Sequence, residues 1–131
     1  MIEIGRVREQ QLLVDDRVAI TFLGIEGARV LSTPQMILFM EKVSRDLLVE
    51  MLEPGKDSVG TVVHVKHLGA APMGSTVTFR SKLVGLDGRR ATFEVEAFDA
   101  HEKIGEGSHE RFIITVANFA EKMKAKLAKS S

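Results

Sequence analysis

Ser32-Thr33-Pro34-Gln35-Met36-Ile37-Leu38-Phe39-Met40-Glu41-Lys42-Val43-Ser44-Arg45-Asp46-Leu47-Leu48-Val49-Glu50-Met51-Leu52-Glu53-Pro54-Gly55 carries the strongest periodic signal in the chain. Ser32-Thr33-Pro34 is a helix start: a hydroxyl side chain such as that of Thr33 caps free backbone N–H groups, and a proline in the first turn has no N–H to leave unpaired. Met36, Ile37, Met40, Val43, Leu47, Leu48 and Met51 then recur at three- and four-residue steps until Pro54-Gly55, which predicts a helix of about five turns. Leu38, Phe39 and Val49 lie off this stripe. A helix apolar on more than one face is expected to be wrapped by other structure.

On either side of this helix the period changes to two. Before it, Arg6 to Val14 reads as a strand and Arg17 to Phe22 as a second extended piece, with Gly24 and Gly27 marking a loop. After it come four strand-like runs, Val59 to Leu68, Ser75 to Leu86, Arg89 to Ala100 and Lys103 to Val116. Asp87-Gly88 is a hairpin signal, because both residues tolerate positive φ, and Asp99 to Glu102 marks the next turn. Asn118, with Glu121 three residues on, resembles a capping box opening a short basic C-terminal helix. One long helix against a meander of long strands is an α+β pattern, and an antiparallel sheet wrapped around that helix is the hotdog arrangement. Such a sheet has open edges, which predicts edge-to-edge pairing into a homodimer, with assembly to a tetramer left open.

At 131 residues the chain is expected to form a single domain, 1–131, with 118–131 as a C-terminal helix and tail. Eighteen basic residues balance eighteen acidic ones, so no global field draws in nucleic acid or an acidic membrane surface. The absence of cysteine excludes disulfides, thiolate metal sites and cysteine nucleophiles. Met1 to Arg6 shows no basic start followed by an apolar run, and no apolar stretch is long enough to span a bilayer. A complete, cytoplasmic protein without membrane association is expected.

Three polar residues fall where the pattern prefers apolar ones. Glu41 borders the helix stripe, and is either a rim carboxylate paired with Arg45 one turn on or a carboxylate held in a cleft. Strand alternation sets Val59, Thr61, Val63, Val65 and His67 on the core face, so His67 is either hydrogen-bonded filler or a site residue. Thr33 can cap the helix and also aim its hydroxyl at the anion-favouring helix N-terminus. Gly105 to Arg111 is a polar, glycine-marked strand, which suits an interface edge, particularly at His109, or a surface for a ligand. Metal binding is not expected, because the histidines at 64, 67, 101 and 109 form no close helical pair, and no Gly-x-Ser-x-Gly elbow or phosphate-cradling glycine loop is present.

Leu31-Ser32-Thr33-Pro34 with Met40-Glu41, Leu52-Glu53-Pro54-Gly55, Ser58-Val59-Gly60-Thr61, His64-Val65-Lys66-His67 and Ile104 to Arg111 together resemble the hotdog thioesterases typified by fluoroacetyl-CoA thioesterase. The likeness implies an acyl-CoA hydrolase that needs no cofactor. It implies catalytic roles for Thr33, Glu41 and His67: Glu41 attacks the thioester or directs water at it, His67 transfers protons, and Thr33 orients or stabilises the developing charge. It also implies that Gly60 and Arg111 lie near the acyl end of the site, with coenzyme A at a mouth between subunits near Lys66 or Arg111. Phe22 to Val30, with Gly24 and Gly27, departs from the longer aromatic segment of the fluoroacetyl-specific enzymes, so a short, medium or aryl acyl group fits equally. A hydratase or dehydratase on the same fold and a non-catalytic acyl-CoA-binding module are the competing readings.

Overall fold

The three- and four-residue spacing after Ser32 does form a helix. In the computed structural model, which describes residues 1–130, helix α1 spans Thr33–Val49. Its cap is Ser32, not Thr33: the Ser32 hydroxyl accepts from the Gln35 amide at 3.2 Å, and Thr33 is already the first helical residue. Met36, Met40, Val43, Leu47 and Leu48 are buried, as the stripe predicts, while Leu38 and Val49 are exposed. The sheet therefore covers one side of the helix and leaves the other partly open.

The strands are β1 (Val7–Leu13), β2 (Lys56–His67), β3 (Thr76–Asp87), β4 (Arg90–Phe98) and β5 (Lys103–Thr115). They form one antiparallel sheet in the order β1-β3-β4-β5-β2. β3, β4 and β5 are the expected meander. β2 does not continue it: it crosses to the far side and pairs with β5, so that β1 and β2 are the two edges. The turn after β3 takes its positive φ at Gly88 alone, at 62°. At the next turn the Asp99 carboxylate accepts from the amides of His101 and Glu102.

Three local expectations are corrected. Arg17 to Phe22 is not a strand but a turn followed by a single bridge, Ala19 to Leu31, closed by an Asp15–Arg17 ion pair and with a short 3-10 turn, Glu26–Ala28, behind it. The C-terminal helix α2 spans Val116–Lys129, two residues earlier than the Asn118 signal, and Thr115 precedes it with no side-chain cap. Ser131, the last residue of the expected tail, lies outside the described residues.

The third correction concerns β2. Its register against β5 shifts between Gly60 and Val62, so Thr61 is an inserted bulge residue. Alternation is reset there: Ser58 and Gly60 face the helix side before the bulge, opposite Ile113 and Arg111, and Val63, Val65 and His67 face it afterwards. The predicted inward face holds for the second half of the strand and is inverted for Val59 and Thr61.

The core lies between α1 and the sheet, with Phe79, Phe93, Leu83 and Ile104 fully buried against the helix stripe. Gly105 sets how closely the two layers approach. A Cβ there would lie 2.6 Å from the Met36 sulfur and 3.1 Å from the Met40 methyl, so a larger residue would push these side chains aside where the first turns of α1 lie against β5.

Candidate active site

The close approach at Gly105 positions the first pair. Gly105 is the register partner of His67, and Met36 lies one turn after Thr33. The helix start is thus pressed onto the end of β2, and Thr33 Oγ1 lies 2.7 Å from His67 Nδ1. His67 Nε2 is buried and has no hydrogen-bond partner among the described residues. Burial pushes the imidazole below its ordinary pKa, against a weaker upward pull from the Gly69 backbone, so the ring is neutral at pH 7. Around the pair is a cleft of about 410 Å³ walled by Ile20, Phe22, Val30 and Leu68. A neutral imidazole with one nitrogen hydrogen-bonded to a hydroxyl, on the wall of that cleft, can hold or move a proton there.

A second cluster forms further along the same helix. Arg111 is 6% exposed and His109 1%, so both need internal partners. Arg111 Nε donates to Ser58 Oγ at 2.7 Å, and Nη2 donates to the Ser58 carbonyl at 3.0 Å. Its Nη1 lies 3.5 Å from Glu41 Oε2 and 3.2 Å from His109 Nε2. His109 Nδ1 lies 2.7 Å from the Val62 carbonyl oxygen, which can only accept; that nitrogen therefore carries the proton, and Nε2 accepts from Arg111. Burial lowers the pKa of both His109 and Arg111, and for Arg111 the Glu41 carboxylate opposes it first. The result is a neutral His109 beside a charged guanidinium that stays protonated.

Glu41 is held by this cluster and not by Arg45, which pairs with Asp57 instead. Gly60 makes room for it: a Cβ at Gly60 would sit 2.5 Å from Glu41 Oε2, 3.3 Å from His109 Cε1 and 3.4 Å from Arg111 Nη1. Gly60 is not among the glycines with positive φ, so what it supplies is space. The five residues singled out in the sequence thus fall into two groups, Thr33 with His67 and Glu41 with Gly60 and Arg111. His109 and Ser58 complete the second group. His109 was read as suiting an interface edge, and Ser58 stood in the Ser58-Val59-Gly60-Thr61 motif without a role of its own, because the bulge that resets the facing of β2 is not visible in the pattern.

Among the described residues no three His, Asp or Glu side chains gather as a metal site, and no helix is long and apolar enough to cross a membrane.

A long helix cradled by an antiparallel sheet, with polar pairs where they meet, has clear counterparts. The family described as fluoroacetyl-CoA-specific thioesterase matches residues 14–117. A fluoroacetyl-CoA thioesterase from Streptantibioticus cattleyicolor is 38% identical over 101 residues, 77% of this chain and 73% of that protein. The solved structure of the fluoroacetyl-CoA thioesterase FlK superposes with a TM-score of 0.85 at 31% identity, covering 96% of this chain and 98% of that one. A hot-dog-like protein from Thermanaerovibrio acidaminovorans, 23% identical with a TM-score of 0.85 over 94% of this chain and 91% of that one, shares the fold. Fold and relatives together define a hotdog thioesterase. Within that class, the chain belongs to the fluoroacetyl-CoA-specific thioesterase family.

Proposed function

We propose that this protein hydrolyses the thioester of a small or medium acyl-CoA, as one domain that works in a homodimer, and that each site draws on both subunits. The observation that carries this reading is the separation of the two clusters. Eight residues of helix lie between Thr33 and Glu41, a rise of about 12 Å. On β2, Gly60 and His67 are about six ladder steps apart, roughly 20 Å. One thioester carbonyl does not span that distance.

β2 is an edge strand whose central Val62 and Val63 are exposed on both of its faces. Antiparallel pairing of two such edges about a twofold axis near their centres covers them. It also carries His67 of one protomer toward Glu41 of the partner subunit. Water would then attack the carbonyl carbon with Glu41 taking its proton, and as the C–S bond breaks that proton would pass to the departing thiolate through His67, whose ring Thr33 orients. The cleft beside Thr33 and His67, about 410 Å³ and walled by Ile20, Phe22, Val30 and Leu68, suits an acyl group larger than a substituted acetyl.

The test is thiol release from a panel of acyl-CoA esters by wild type, Glu41→Gln and His67→Ala, followed by mixing the two inactive variants. Each variant alone should be inactive, and co-refolded mixtures should recover about a quarter of wild-type turnover, because random pairing gives half heterodimers with one intact site each. No recovery places the whole site within one protomer. No turnover by wild type on any ester, with binding retained, indicates a non-catalytic acyl-CoA-binding module.

A further inference from the structure

Val59 and Phe112 are register partners on the sheet face opposite Gly60 and Arg111, and Ile114 lies next to them. They form an apolar floor, and α2 passes over it with Phe119 and Met123 as the facing wall. Between them is a groove of about 400 Å³, within the range of small-molecule sites. α2 has no buried residue, and Phe112, Val116 and Met123 remain about 40% or more exposed, so this apolar surface is not used by the fold itself.

The rim of the groove is cationic. Arg89 and Lys122 line it, and Lys56 lines the recess that continues from it past Arg89, Ile114 and Thr115. None of the three has a carboxylate within ion-pair distance among the described residues. Each of the other arginines has one: Arg6, Arg8, Arg17, Arg29, Arg45, Arg80, Arg90 and Arg111. No acidic residue lines either recess. Three uncompensated positive charges around an apolar trough are complementary to a molecule with an anionic head and an apolar tail.

We propose that this groove binds a medium-chain fatty carboxylate, its head group between Arg89 and Lys122 and its tail along Val59, Phe112 and Met123. The stretch over the floor, from Thr115 at the end of β5 to Met123 of α2, is about 12 Å long, which sets the scale of the tail. The site lies on the outer face of the sheet, so it is separate from the cleft at Thr33 and His67.

The test uses the full chain and a dansyl-labelled undecanoic acid, displaced in turn by decanoate, decanol and decylamine. Decanoate should displace the probe at least roughly tenfold better than decanol, and decylamine should be the weakest. Lys122→Glu should weaken decanoate severalfold, and Arg89→Glu/Lys122→Glu by at least roughly tenfold, while decanol is little changed. His67→Ala should bind decanoate as wild type does, which separates the groove from the acyl cleft. Equal displacement by decanoate and decanol, or no effect of the double charge reversal, overturns the proposal. So does a probe that fails to bind while the double variant alters the oligomeric state, since the groove would then be a contact between copies of the chain.

Discussion

Gly60→Ala tests whether the position of Glu41 matters for turnover. The added Cβ would meet Glu41 Oε2 at 2.5 Å, whereas ordinary contact begins near 3.4 Å, so the carboxylate must retreat by about 1 Å. Its other neighbours, His109 Cε1 at 3.3 Å and Arg111 Nη1 at 3.4 Å, are buried and hydrogen-bonded, and cannot yield. Glu41 is the mobile member, because its side chain is 36% exposed and turns on rotatable bonds. Gly60 does not occupy a positive φ, so alanine adds no backbone strain. Stability should therefore change by no more than about 1 kcal/mol, the scale of one off-rotamer side chain. A misplacement of about 1 Å in a catalytic group costs on the order of a hundredfold in rate. The assay is kcat/KM from thiol release on the best acyl-CoA of the panel, with the urea midpoint measured in parallel. Wild-type kcat/KM with a wild-type midpoint refutes the argument that Gly60 exists to seat Glu41.

Ser32→Ala and Thr33→Ala separate capping from chemistry: the first should lose roughly 1 kcal/mol of stability with turnover retained. The second should stay within about 0.5 kcal/mol and lose turnover; the reverse pattern in urea melts and thiol release would return the cap to Thr33. Arg111→Met leaves Glu41, His109 Nε2 and the Ser58 groups without their donor, and should cost about 3 kcal/mol as well as activity. A urea midpoint equal to wild type would show that this guanidinium is not the anchor of the cluster. Burial holds His67 and His109 below their ordinary pKa, so the unfolded chain takes up protons first. Their contribution to stability is complete above about pH 6.5 and is lost as pH falls below it, so the urea midpoint should drop between about pH 7.5 and about pH 5.5. Asp46 and Asp57, held low by their partners, titrate in a more acid range and do not mask this fall. A midpoint that stays level or rises on acidification contradicts the assignment of both rings as neutral.

Much of the fold was legible because it rests on local periodicity. The buried stripe of α1 follows from apolar residues three and four apart, and β3, β4 and β5 from alternation between turn residues such as Gly88 and Asp99. The resemblance named Thr33, Glu41, Gly60, His67 and Arg111, which lie at the helix–sheet boundary in two groups, Thr33 with His67 and Glu41 with Arg111 beside Gly60. Arg17 to Phe22 was misread because β-branched residues suit a strand, yet among the described residues the segment makes only the isolated Ala19–Leu31 bridge. The start of α2 was misread because Asn118 and Glu121 carry capping chemistry that the backbone had already passed.

Residue types and their spacing determined by themselves that one helix packs on an antiparallel sheet, since burial of a periodic apolar face is a local property repeated along the chain. Which polar groups meet was decided only in three dimensions. The Thr61 bulge reverses the facing of half of β2, and the choice of Arg111 over Arg45 as the partner of Glu41 depends on a strand seventy residues away in sequence. Those contacts rest on sheet register and the depth of helix packing, which are set by the sum of all cross-strand pairs and by absent side chains at Gly60 and Gly105. No short window of sequence contains that sum.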